Sequence, residues 1–194
     1  KVHLKLLIAE LNNIKDHYGD KKAIIIKSNH PSLWWPSSWS KADRREEYGA
    51  PITMYSLASN SSTKALSNPI DNFISESDKI LKRTNLSSKY FIKSVNENYP
   101  IEYISTINSI NSAPLYVLLN LVNSESHNFT AEVVFRHSLN NWSHDFPNAK
   151  YNNWIKEQNF NSDNFIFADA SGLSRENRVT TYGLAQFLRR MKLN

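Results

Sequence analysis

The chain has 194 residues and carries 23 Lys and Arg against 18 Asp and Glu, a net charge of +5 with histidine neutral. With 40% hydrophobic and 12% aromatic residues it holds enough apolar material for a buried core, which excludes a disordered chain. The absence of cysteine excludes a disulfide framework, a Cys-zinc site and a thiol nucleophile, and four scattered glycines cannot build a phosphate-binding loop.

In chain order, Leu4, Leu7, Ile8, Leu11 and Ile14 recur at helical spacing, with Gly19 as the stop. Ala23-Ile24-Ile25-Ile26 is a β-branched run that reads as a buried strand. Residues 29–50 form a Pro/Trp/Ser loop with Trp34, Trp35 and Trp39, followed by an acid-base cluster from Asp43 to Glu47. Tyr48-Gly49-Ala50-Pro51 is a turn, Ile52 to Leu57 alternates as a strand, and Ser59 to Asn68 is a polar loop. Phe73, Ile74, Ile80 and Leu81 mark a helix, and two strands follow, at Tyr90-Phe91-Ile92 and from Ile101 to Ile107. Pro114 opens an apolar helix, a second runs from about Phe129 to His137, and a third covers Trp154-Ile155. Phe165-Ile166-Phe167 is a strand, and the last helix starts near Thr180, a good capping residue. The fold class is therefore mixed α/β (α+β), with a β-richer front half and a helical back half.

No apolar run approaches the roughly 18 residues that a membrane span needs. The charges alternate in sign without a dense basic block, so no nucleic-acid partner is expected, and mild basicity of this kind suits an acidic polymer such as cell wall. The first residues already read as helix and the last stop inside another, so the expectation is an internal piece of a longer protein. A processed protein with ragged ends is the alternative. The six histidines form no His-x-x-x-His or Glu-x-x-His pair on a helix, and His127 and His137 stand ten apart, so no metal is expected. Trp34, Trp35 and Trp39 either stack on sugar rings or anchor their loop to the domain.

Three stretches carry a resemblance. The first is Asp169-Ala170-Ser171-Gly172-Leu173-Ser174-Arg175-Glu176-Asn177-Arg178-Val179. The second is Ser124-Glu125-Ser126-His127-Asn128-Phe129-Thr130-Ala131-Glu132, and the third is Trp35-Pro36-Ser37-Ser38-Trp39 with Tyr48-Gly49-Ala50-Pro51. Together they resemble the D-alanyl-D-alanine carboxypeptidase/endopeptidase family of low-molecular-mass penicillin-binding proteins, the penicillin-binding protein 4 type. The resemblance implies residues 1–100 in part of an inserted strand-bearing domain and residues 101–194 in part of a serine penicillin-binding-protein/β-lactamase-like transpeptidase domain. It also implies export to the periplasm or cell envelope, peptidoglycan stem peptides as substrate, β-lactams as ligands of the intact parent, and no cofactor.

The family works through Ser-x-x-Lys, Ser-x-Asn and Lys-Thr-Gly, with a serine acyl-enzyme whose hydroxyl needs an adjacent base. Ser-x-Asn also occurs at Ser94, Ser109, Ser138 and Ser162, but only Ser126 lies between two apolar helices ahead of the Asp169 block. By resemblance Ser126 relays a proton to the leaving amine, and Asn128 binds the substrate amide and holds the lysine. Both residue types favour helix starts, so simple capping is the structural alternative. Asp169, Ser171, Gly172 and Ser174 lie on a loop near the site, where a strand-to-helix turn with Gly172 at unusual backbone angles is the structural reading. Ser38-Trp39-Ser40-Lys41 and Ser61-Ser62-Thr63-Lys64 match Ser-x-x-Lys only formally, in polar loops, and Lys-Thr-Gly is absent. The expected function is that of a serine-type D-Ala-D-Ala carboxypeptidase in which this segment alone is inactive. A non-catalytic envelope binding or scaffold module of the same descent is the alternative.

Overall fold

The computed structural model describes residues 2–13, 22–96, 100, 109–142 and 148–193. Helix and sheet are both present, in an α+β arrangement with small sheets. Helix α1 (Val2–Ala9) leads into a short 3-10 turn, and strand β1 (Lys22–Ser28) follows. Helix α2 (Pro69–Arg83) starts where Asn68 accepts the Asp71 N–H, with Pro69 in the first turn, where its missing N–H costs nothing. Its buried positions Ile70, Ser77, Ile80 and Leu81 fall on one face. Strand β2 (Tyr90–Asn96) pairs with β1 in parallel, from Lys22 opposite Tyr90 to Ser28 opposite Asn96. Parallel partners need a long crossover, and residues 29–89 supply it. Ile8, Ile80, Leu81, Leu86 and Tyr90 form the core of this part.

The back half contains α3 (Leu115–Glu125), α4 (Asn128–Ser138), α5 (Asn148–Glu157) and α6 (Thr181–Leu193). Between α5 and α6 lie the two-residue strands β3 (Phe165–Ile166) and β4 (Arg178–Val179), paired antiparallel. Ile155, Phe160 and Phe165 form a second core that Tyr151, Phe167 and Phe187 complete. Thr180 caps α6 through its hydroxyl, which accepts the Gly183 N–H at 3.0 Å. No described helix is long and apolar enough to cross a membrane.

One expectation is corrected. Ile52 to Leu57 is not a strand, although Ile52 and Thr53 are fully buried. The Ile52 N–H goes to the Trp34 carbonyl, and Asn60 holds the Pro51 carbonyl at 2.8 Å and the Thr53 hydroxyl at 2.7 Å. Polar side chains and a loop carbonyl take the place of a neighbouring strand. Four 3-10 turns and buried loop carry residues 29–66, and among the described residues the front half still holds the longer strands, β1 and β2 with seven residues each against two each in β3 and β4. The Gly19 stop and the strand at 101–107 lie outside the described residues.

Candidate active site

Ser126 closes α3 in the left-handed conformation (φ 52°, ψ 44°), a conformation costing a serine about 1–3 kcal/mol. It and His127 form the whole link to α4. The cap of α4 is neither Ser126 nor Asn128. It is His127, whose Nδ1 accepts the Thr130 N–H at 3.3 Å and lies 2.6 Å from the Thr130 hydroxyl. Accepting a backbone proton at Nδ1 places the proton of the neutral ring on Nε2. Nε2, 3.3 Å from the Ser59 hydroxyl, therefore donates to it and is no base for that serine.

Because His127 supplies the cap, the Ser126 hydroxyl has no hydrogen-bond partner among the described residues and stays exposed. Asn128 donates its amide to the Tyr48 carbonyl at 3.1 Å, which leaves its oxygen available as an acceptor. Both residues line a pocket of about 210 Å³ with Glu47, Tyr48, Ser59 and Ser61. Its second wall is a turn in which Ala58, Ser59 and Asn60 all have left-handed φ, from 51° to 56°. Asn60, fully buried, holds that turn in place.

The formal Ser-x-x-Lys pairs are separated by this geometry. Ser61 lines the Ser126 pocket, whereas Lys64, beyond a tight turn closed by the Ser61–Ala65 bridge, lines a different one with Lys41. The Ser38 hydroxyl points to the Ala168 carbonyl at 3.5 Å, away from Lys41 in role and neighbours. Neither lysine is placed to take its serine's proton, and neither serine opens an α-helix.

The Asp169 block is a hydrogen-bonded hub. Asp169 is 2% exposed and accepts from the Trp39 indole (2.7 Å), the Ser174 N–H (2.6 Å), the Ser171 hydroxyl, the Gly172 N–H and the Asn177 amide. Gly172, at φ +80°, makes the turn that aims its N–H inward. The Ser174 hydroxyl accepts the Glu176 N–H and the Ser171 hydroxyl accepts the Leu173 N–H, so both serines stabilise turns.

Helix α4 is clamped to this hub by Glu132, which the sequence reading left without a role. Glu132 Oε1 accepts the Ala170 and Ser171 N–H groups at 2.8 and 2.9 Å. Burial holds its carboxyl above the usual range, reinforced by the charge of Asp169, while the Ala170 N–H, Arg136 and Ser171 pull the other way. Arg136, one turn on, is itself buried and lowered by that burial; it donates to the Leu33 carbonyl at 3.0 Å. The Glu132–Arg136 spacing of four was the available signal, since charged residues so placed on a helix meet.

Ser126 and Asn128 thus stand at the head of a helix bolted through Glu132 to the Asp169 hub and through Trp39 to the tryptophan loop. The family model for D-Ala-D-Ala carboxypeptidase 3 (S13) matches residues 92–194, just over half of the chain. The chain belongs to the D-Ala-D-Ala carboxypeptidase 3 (S13) family. No curated protein matches it. Within the S13 match fall α3, α4, the Ser126–Asn128 link, the whole Asp169 block and α6, while the Trp35–Pro51 stretch precedes it. Membership supports a D-Ala-D-Ala carboxypeptidase type of function in general, with peptidoglycan as the substrate the S13 family implies.

Proposed function

We propose that this chain supplies the Ser-x-Asn element of a serine D-Ala-D-Ala carboxypeptidase of the penicillin-binding protein 4 type, working on peptidoglycan stem peptides in the periplasm or cell envelope. The supporting observation is the cap of α4. His127 takes the structural duty that Ser126 and Asn128 would otherwise perform, and both are left facing one pocket. In this reading the Ser126 hydroxyl passes a proton to the departing D-alanine amine, and the Asn128 oxygen accepts from the substrate amide. The nucleophile and its lysine come from a part of the enzyme beyond these 194 residues, with residues 1–100 belonging mainly to an inserted domain. Asp169, Ser171, Gly172 and Ser174 hold the scaffold, as their backbone-directed hydrogen bonds indicate.

The separation of Ser61 from Lys64 favours a second reading, a non-catalytic envelope module that keeps the scaffold. One titration distinguishes the pocket from a bare scaffold. Diacetyl-Lys-D-Ala-D-Ala added to the isotope-labelled chain is expected to shift the amide signals of Ser126 and Asn128, and Asn128→Ala to abolish the shifts. Fluorescent penicillin is expected not to label the chain itself. Shifts confined to other residues, or covalent labelling lost in Ser61→Ala, would overturn the assignment.

A further inference from the structure

Four cations meet on the opposite side of the loop from Ser126. Arg44 and Arg45 come from the 3-10 turn Asp43–Arg45, Lys41 from the turn just before it, and Lys64 from the turn after Ser61. With Trp35 and Leu66 they line a broad pocket of about 540 Å³. No carboxylate lines it among the described residues. Asp43 and Glu46 flank Arg44 and Arg45 in sequence, but neither lines the pocket, and Asp43 accepts from the Ser40 and Tyr48 hydroxyls.

The cations fall into two kinds. Arg44 is built in: its guanidinium lies 5.8 Å from the centre of the Trp35 ring and donates to the Pro36 and Ser37 carbonyls. Its Nε–H is buried without an acceptor, an unmet donor beside the pocket. Lys41, Arg45 and Lys64 are exposed, and their side chains form no ion pair or hydrogen bond among the described residues. Converging cations with no internal counter-charge raise the local concentration of anions. Trp35 is held rigidly, its indole N–H donating to the Gly49 carbonyl at 2.9 Å, and with Leu66 it adds an apolar wall. Cations beside a fixed indole suit a ligand with anionic groups on a ring body whose C–H faces are apolar.

We infer that the pocket formed by Trp35, Lys41, Arg44, Arg45 and Lys64 binds an anionic glycan, a sugar chain bearing carboxylate or phosphate groups. The choice of a glycan over other polyanions rests on the peptidoglycan reading of the Ser126 pocket; the anion preference rests on the side chains alone. The two pockets share their walls. Arg44 and Arg45 face one and Glu47 and Tyr48 the other, and Lys64 and Ser61 divide in the same way. A wall polymer held at the basic pocket would therefore pass close to the Ser126 pocket, which gives the enzyme a grip on its insoluble substrate separate from the peptide it cuts.

Calorimetric titration of the chain tests this with oligomers of polygalacturonate, which carries carboxylates, and of phosphomannan, which carries phosphates, against neutral dextran. None contains a D-Ala-D-Ala peptide, so failure here and failure at the Ser126 pocket are separable. One or both anionic oligomers are expected to bind and dextran not, and the stronger of the two identifies the anionic group. The triple variant Lys41→Gln/Arg45→Gln/Lys64→Gln is expected to melt with the parent and to bind at least about tenfold more weakly, as loss of charge-assisted hydrogen bonds requires. The single variant Lys64→Glu provides a second test with minimal risk to folding, because that side chain is exposed and without a partner among the described residues. Equal binding of dextran, unchanged binding by the folded variants, no binding of either anionic oligomer, or tighter binding of a single-stranded DNA oligomer would each overturn the inference.

Discussion

Trp39 donates its indole N–H to the Asp169 carboxylate at 2.7 Å, joining residues 130 positions apart, and both are almost fully buried. This bond ties the tryptophan loop to the hub beneath α4. Trp39→Phe keeps most of the ring volume and removes the donor, so the expected cost is about 1.5–3 kcal/mol, the worth of a hydrogen bond to a charged group. Urea unfolding monitored by circular dichroism measures it. A loss below the range of a surface substitution would show that the bond does not hold the loop.

Asp169→Ala should be the most damaging single change in the hub. It strands five donors, two of them backbone N–H groups, where each buried orphan costs about 1–3 kcal/mol. The variant is expected to be unfolded or to melt far below the parent. In a double-mutant cycle, Trp39→Phe and Asp169→Asn should be non-additive, since the two share one bond.

Glu132 predicts a pH effect of definite sign. Its carboxyl is held above the ordinary 4.5 by burial, so the folded chain keeps this proton at pH values where the unfolded chain has lost it. Below 4.5 both states are protonated and the residue adds no pH dependence; as the pH rises through the raised value, stability is lost. Glu132→Gln keeps an oxygen for the Ala170 and Ser171 N–H groups and cannot ionise. The melting temperature of the parent minus that of Glu132→Gln should fall as the pH rises from about 4 to 7. A difference that rises over this range would mean that the charged form is the one the site prefers.

Gly49 tests the wall between the two pockets. A Cβ there would lie 1.9 Å from the Asp43 carbonyl oxygen, a backbone atom that cannot step aside. Gly49→Ala is therefore expected to cost about 3 kcal/mol, the upper end for overpacking, and to displace the Tyr48 carbonyl that Asn128 engages. Proteolysis kinetics at the 43–51 segment would report the loosening.

What could be read from the sequence divides along physical lines. Helices with one apolar face, such as α2 and α4, and the β-branched run of β1 were legible because their partners are local or strongly patterned. The strand expected at 52–57 failed because alternation reports only burial, and here Asn29, Asn60 and the Trp34 carbonyl meet the backbone's needs without a sheet. At the site, Ser126 and Asn128 were recognisable from their stretch, but the capping role fell to His127 between them. Capping preference cannot assign the cap between adjacent residues that are all able to accept. The basic pocket was hidden for a related reason. Lys64 stands 19 positions from Arg45, and the Ala65 N–H bond to the Arg45 carbonyl brings the two turns together.

The central claim is that Asn128 acts on the substrate while the Asp169 loop only supports it. The most direct measurement is the rate of acylation by a labelled β-lactam in the full-length enzyme proposed above, for Asn128→Ala and Ser174→Ala, with melting recorded for each. Asn128→Ala should lose about 3 kcal/mol of transition-state stabilisation, near a hundredfold in rate, with little change in melting. Ser174→Ala removes only the turn bond to the Glu176 N–H, so it should lower the melting point and leave the rate nearly intact. The opposite pattern, with acylation abolished in a stable Ser174→Ala and preserved in Asn128→Ala, would contradict the account.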